Sequence, residues 1–199
     1  MTELSTEPSS ADSQTRRVIC YVDGFNLYFG LRAAGMKYLL WLDLPALAPS
    51  LLVRGQELVA TKYFTSRIAG PDQKRKRQEA YLDALLAKCG EHVRIEYGKY
   101  ITDTRQCRQC GLRESVPSEK MTDVNIAVAL LSDAYQDHFE TALLITADSD
   151  LVPAVKAVRT LFPDKRVCVA FPPSRQSNDL RAASHASFTI GRAKLAQAQ

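Results

Sequence analysis

Residues 142–162 read ALLITADSDLVPAVKAVRTLF, and the order of events in that stretch decides the fold. ALLIT (142–146) is a short continuous apolar run, the pattern of a strand covered on both faces in a parallel sheet. The acidic tetrad Ala147-Asp148-Ser149-Asp150 interrupts it. From Leu151 the apolar positions recur with helical period, and Pro153 falls in the first turn, where a missing N–H is tolerated. A buried strand handing over through acids to a helix is half of a βα unit.

The same alternation extends in both directions. VCVAF (167–171) is the next strand, and TDVNIAVALLSDAYQD (122–137) is the preceding helix. Val124, Ala127, Val128, Leu131 and Tyr135 share one face of that helix, and its other face is apolar too, so cover on two sides is expected. Toward the amino terminus, VICYV (18–22) is a strand ended by Asp23-Gly24, followed by a helix to about residue 34. LDLPALAPSLL (42–52) reads as a short helix and ELVATKYFTSRI (57–68) as a second strand. QKRKRQEAYLDALLAKCG (73–90) is a basic amphipathic helix, with Tyr81, Leu82, Leu85 and Leu86 at helical spacing and Gly90 as its C-cap. VRIEYGKYIT (93–102) alternates as a third strand, and CRQCGLRESVPSE (107–119) is a polar excursion.

Strands alternating with helices predict an α/β protein: a Rossmann-like, three-layer α/β/α fold with a mostly parallel central sheet. The organisation expected is a disordered leader over residues 1–15, a single domain over 16–191 with a Cys-containing insertion at about 102–118, and a flexible tail over 192–199. The leader is polar and acidic, with too little apolar surface to offset the entropy cost of ordering it. It also lacks the basic flank and apolar centre of a secretory signal, so a cytoplasmic location is the default expectation.

Composition narrows the function classes. The chain has 199 residues, 46% of them hydrophobic and 24% charged, so it is long enough for one domain with a substantial core and unlike a disordered or fibrous chain. No apolar stretch reaches the roughly 18–20 residues of a membrane span. Five cysteines, an odd number, do not read as a disulfide framework. A net charge of +4 leans toward polyanions.

Parallel sheets place working groups just beyond the carboxyl ends of their strands. VICYV runs into Asp23, ALLIT runs toward Asp148 and Asp150, and Asp123 opens the helix at 122–137. Each acid has a bland use: Asp23-Gly24 is a turn dipeptide, Asp148 or Ser149 caps a helix, and Asp123 complements a helix macrodipole. Together they ask for more. One cap does not need both Asp148 and Asp150, and a tight turn does not need Asn26. Carboxylates crowded together repel unless a cation holds them. Hard oxygen donors suit Mg2+ or Mn2+, ions that activate water and neutralise charge on phosphoryl oxygens.

Three strings in order, VICYVDGFNLYFGLR (18–32), EKMTDVNIAVALLSDA (119–134) and ALLITADSDLVPAV (142–155), closely resemble the signatures of NYN domains, also called LabA-like or limkain-type domains, within the PIN-like nuclease group. The likeness covers about residues 17–190. It implies a PIN-like sheet whose acidic rim binds Mg2+ or Mn2+ and hydrolyses RNA phosphodiester bonds, that is, a metal-dependent endoribonuclease acting on single-stranded or loop RNA. The alternative is a non-catalytic RNA-binding or protein-interaction module on the same fold. Carried over by position, Asp23 matches the first-strand acid, Asn26 the polar residue of the first helix, Asp123 the acid opening the central helix, and Asp148 and Asp150 the final pair. Asp23 and Asp148 are then the principal metal ligands. Asp123 and Asp150 ligate through water or orient the attacking group, and Asn26 positions a carboxylate or phosphate oxygen.

Arg67, with Lys74, Arg75, Lys76 and Arg77 at the start of the basic helix, is a candidate to contact a nucleic-acid backbone, as are Lys120 and Ser149 beside the acids. A solvated helix face is the competing reading. Tyr28, Phe29 and Tyr38 are either base-stacking side chains or core, with at least two of the three expected in the core. Cys107 and Cys110 have the spacing of one zinc knuckle, half of a tetrahedral Zn2+ site that Cys89, His92 or a second copy in a homodimer would complete. An unmetallated, redox-sensitive pair is the other reading. Cys20 and Cys168 are expected as small buried hydrophobes, and His138 and His185 stand in no motif.

Overall fold

The computed structural model describes residues 15–68, 71–106 and 108–199, so nearly all of the expected leader lies outside the described residues. The chain runs β1 (Arg16–Asp23), α1 (Gly24–Ala33), α2 (Leu44–Ser50), β2 (Gln56–Thr65), α3 (Asp72–Cys89), β3 (Val93–Tyr97), β4 (Lys99–Gln106), β5 (Arg113–Lys120), α4 (Thr122–Tyr135), β6 (Thr141–Ile145), α5 (Val152–Leu161), β7 (Arg166–Phe171), α6 (Asn178–Ala183), β8 (Ala186–Thr189) and α7 (Arg192–Gln197). Six strands form one sheet in the order β3-β2-β1-β6-β7-β8, and every neighbouring pair is parallel.

Alternation along β1 divides the core into two layers. Val18, Cys20 and Val22 pack with Leu27 and Leu31 of α1, Leu44 and Leu47 of α2, Leu82 and Leu85 of α3, and Leu195 of α7. Ile19 and Tyr21 point the other way, onto Ile126 and Leu130 of α4, Val155 and Val158 of α5, and Leu180 of α6. Cover on both faces is why β1 and β6 read as unbroken apolar runs. The three-layer α/β/α arrangement is the one the strand and helix alternation predicts.

The strand order has a functional consequence. From β1 the chain builds outward through β2 to β3, and from β6 it builds the opposite way through β7 to β8. The reversal opens a crevice beyond the carboxyl ends of β1 and β6, the place where such sheets bind ligands.

Four sequence expectations are corrected. The expected third strand over 93–102 is two strands: β3 pairs with β2, the chain turns over at Gly98, and β4 leaves the main sheet. The segment read as a polar excursion supplies the turn and second strand of an antiparallel β4–β5 hairpin. Its few apolar residues gave no period-two signal. The helix α4 is covered on one side, not two: Ile126, Leu130 and Ala134 are buried, whereas Val124, Val128 and Tyr135 are 61%, 57% and 81% exposed. Most of the tail expected to be flexible over 192–199 is α7, in which Leu195 is wholly buried, and just beyond the helix the Ala198 carbonyl accepts the Asp43 N–H at 2.8 Å.

Beneath α4 lies a buried polar knot. The Asp133 carboxylate accepts hydrogen bonds from the Tyr21 hydroxyl (2.6 Å) and from Lys62 Nζ (2.9 Å), and the His138 Nδ1 is 3.2 Å away. Burial alone would favour the neutral acid, but these partners hold the Asp133 carboxyl below its ordinary range.

Candidate metal centre

Asp23 is the last residue of β1 and the N-cap of α1. One carboxylate oxygen accepts the Asn26 N–H at 2.9 Å, and the other accepts the Thr146 hydroxyl at 2.9 Å. Thr146 Oγ1 in turn accepts the Asp148 N–H at 3.1 Å. Asp148 caps the 3-10 turn that leads into α5, accepting the Asp150 N–H at 3.0 Å. The side-chain oxygen of Asn26 accepts the Ala147 N–H at 3.1 Å. The capping uses are therefore real, and through them the loops following β1 and β6 are tied into one rim.

Asp123 reaches the same rim from the first turn of α4. The approach is tight. Met121, at the N-cap of α4, adopts a left-handed backbone with φ of 77°. A Cβ at Gly98 would lie 2.5 Å from Thr122 Oγ1, 2.6 Å from Ser66 Oγ and 2.8 Å from the Lys120 carbonyl oxygen, so only glycine fits where the hairpin, β2 and α4 meet. The Ser66 hydroxyl donates to Glu119 near the end of β5 at 3.3 Å.

One carboxylate oxygen from each of Asp23, Asp123 and Asp148 lies within 4.8 Å of the others. Asp23 is buried, while Asp123 and Asp148 are partly buried. Among the described residues no lysine or arginine forms an ion pair with any of the three. Burial, reinforced by the charges of Asp123 and Asp148, pushes the Asp23 carboxyl up to about 6 despite its two hydrogen bonds. Burial and the charges of Asp148 and Asp150 raise Asp123 as well. Glu119 is pushed up to about 7 by burial and by the charges of Asp23 and Asp123. The donor set is all oxygen, crowded and unneutralised, which fits a hard divalent cation.

The expected site residues divide. Asp23, Asp123 and Asp148 converge, and Asn26 binds the two loops that carry Asp23 and Asp148. Asp150 is exposed and lies outside the triad, where its charge acts on Asp123. Ser149 and Lys120 are exposed neighbours of the acids in the chain. Arg67 follows β2 and stacks over the Tyr97 ring at 5.1 Å. Lys74, Arg75, Lys76 and Arg77 are exposed at the start of α3; Arg75 pairs with Asp72 at 3.0 Å, and Arg77 Nε donates to the Gln73 carbonyl. Gln78 bridges Ser66 and Ile68, holding that start against the end of β2, on the same edge of the sheet as the acids.

Tyr28, Phe29 and Tyr38, of which at least two were expected in the core, are all exposed: Leu27 and Leu31 form the buried face of α1, and in the 3-10 turn at 37–39 the buried residue is Leu39. Cys107 lies outside the described residues, and Cys110 is an exposed free thiol. Glu119 and Thr146 were missed. Both stand inside the quoted strings, but the place of Glu119 follows from a hairpin that apolar periodicity does not reveal.

A parallel sheet with helices on both faces and a carboxylate cluster at its switch point is the build of PIN-like nuclease domains. Within that group the chain belongs to the NYN domain family, whose model matches residues 17–191. The chain is 29% identical over 201 aligned residues to the 6-hydroxy-3-succinoylpyridine 3-monooxygenase HspA of Pseudomonas putida. The match takes in 83% of this chain and 62% of the relative, so the chain spans less than two thirds of that protein's length. The fold is similar to the crystal structure of a protein of unknown function from Vibrio parahaemolyticus, with a TM-score of 0.59, 19% identity, and coverage of 92% of this chain and 97% of that one. No helix among the described residues is long and apolar enough to cross a membrane.

Proposed function

We propose that this protein is a metal-dependent endoribonuclease that hydrolyses RNA phosphodiester bonds at the rim formed by Asp23, Asp123 and Asp148. The observation that carries the reading is the convergence of three carboxylates with no cationic partner among the described residues, in a chain of a nuclease-domain family. The monooxygenase activity for which the Pseudomonas relative is named belongs to that protein, which is longer than the matched region.

Asp23, Asp123 and Asp148 would hold Mg2+ or Mn2+, which when bound supplies Lewis acidity toward the phosphoryl oxygens and lowers the pKa of water. Asp23 is held in place by the Asn26 N–H and the Thr146 hydroxyl, so its orientation precedes ligand binding. Asn26 is a positioning residue. Glu119 and Asp150 flank the triad, each with a role in receiving or orienting a proton of the attacking water. Arg67, Lys74, Arg75, Arg77, Lys120 and the Ser149 hydroxyl would contact the RNA backbone, giving affinity that falls with salt.

The test is cleavage of a labelled single-stranded RNA with Mg2+ or Mn2+, repeated with chelator and with Asp148→Asn. Cleavage lost in both controls is the expected result. RNA bound but uncut by the wild-type protein under every divalent cation would instead make it a binding module.

A further inference from the structure

We infer that the exposed aromatic stripe of α1 is a stacking platform for unpaired bases of the strand whose backbone enters the acidic rim, an inference that rests on the ribonuclease reading. Phe25, Tyr28, Phe29 and Arg32 follow the i, i+3, i+4, i+7 spacing that puts side chains on one helix face. The stripe begins two residues after Asp23, the cap of the same helix. At 1.5 Å per residue it runs about 10 Å away from the triad, roughly the length of three stacked bases.

The rings are already arranged as a surface. Phe25 and Phe29 stack with centroids 6.3 Å apart, and Tyr28 meets Phe29 edge-on at 5.3 Å. Tyr28 is 40% and Phe29 45% exposed. Two guanidinium groups lie over these rings: Arg32 is 5.6 Å from the Tyr28 centroid and Arg175 5.9 Å from that of Phe29. Arg175 comes from the loop beyond β7, at the same carboxyl edge of the sheet. That loop is pressed onto α1, since a Cβ at Gly30 would lie 2.7 Å from Pro172 Cβ and 2.9 Å from the Pro173 carbonyl oxygen. A turn in which the Arg175 N–H donates to the Pro172 carbonyl at 3.2 Å fixes the second arginine.

The chemistry selects the occupant. Aromatic faces bind bases of any identity, and arginines beside them neutralise phosphates. None of the four stripe positions carries a carboxylate. The stripe is continuous with the rim through α1 itself, so one strand can lie across both. A duplex hides its base faces, and the platform therefore favours single strands.

The experiment measures binding in chelator, where no cleavage is needed. A short fluorescein-labelled single-stranded RNA of mixed sequence, the same RNA with abasic sites, and its duplex are titrated into the full chain and into Tyr28→Ala/Phe29→Ala. The expected result is an affinity loss of about tenfold or more for the intact single strand. The loss should be much smaller for the abasic strand and the duplex, and restored by Tyr28→Trp/Phe29→Trp. Unchanged single-strand affinity, or an equal loss on all three RNAs, overturns the platform. So does a change of oligomeric state in place of a change in RNA affinity, which would make the stripe a protein contact. Wild-type protein that binds the single strand through these rings but never cuts it keeps the platform and defeats the ribonuclease reading.

Discussion

The Thr146 hydroxyl donates to Asp23 at 2.9 Å while accepting the Asp148 N–H at 3.1 Å, so one small side chain orients two of the three triad acids. Thr146→Val keeps the shape and removes both bonds. Mn2+ affinity by calorimetry is expected to fall about 10–100-fold, the usual cost of losing a group that orients a metal ligand. An unchanged affinity would show that Asp23 and Asp148 find their orientation without it.

Protons and cations compete at Asp23. Its carboxyl in the folded chain stands at about 6, above the unfolded value of about 3.9. This group therefore destabilises the metal-free protein as pH rises from about 4 to about 6, and a bound cation removes the penalty. Thermal melts with and without Mn2+ are expected to show a larger rise in Tm at pH 7.5 than at pH 5. Asp23→Asn should lose most of that difference.

Gly98 admits no side chain. Gly98→Ala drives a methyl into the Lys120 carbonyl and two hydroxyls, at a cost of about 1–3 kcal/mol in denaturant unfolding. Because the displaced backbone carries Glu119 and Asp123, RNA cleavage should fall further than stability alone explains.

Met121 holds a left-handed backbone that an L side chain adopts at a cost of about 1–2 kcal/mol. Met121→Gly is expected to stabilise the protein by about 1 kcal/mol, the remainder going to glycine's greater freedom when unfolded. Urea midpoints of the two proteins check it.

Asp133 is held ionised by Lys62, Tyr21 and His138, with its folded pKa below the unfolded value. The stability it contributes is complete above the unfolded pKa of about 4 and is lost as pH falls through the folded one. Asp133→Ala leaves Lys62 without its anion in a site where the lysine is 12% exposed, and about 3–5 kcal/mol is the expected loss at pH 7. The gap between variant and wild type should narrow at pH 3.

The sheet and the triad were legible in the sequence because both rest on local signals. ALLIT and VICYV are buried on two faces and so read as strands, and the acids that follow them sit where parallel strands end. What escaped notice depends on partners distant in the chain. The hairpin has too few apolar residues for periodicity, so the place of Glu119 was hidden. The tail helix is anchored chiefly by Leu195, and a single leucine makes no pattern. On α4 two apolar stripes were visible, but sequence does not say which one meets the sheet. Ile126, Leu130 and Ala134 do, leaving Val124 and Val128 outside.

Asp23 and Asp148 are separated by 125 positions and become neighbours only when β6 slots in beside β1. A chain still emerging from the ribosome holds the first acid long before the last, and its carboxylates stay apart until the middle of the sheet closes. The topology thus makes the carboxylate cluster a property of the finished sheet, absent from any copy in which β6 has yet to be made.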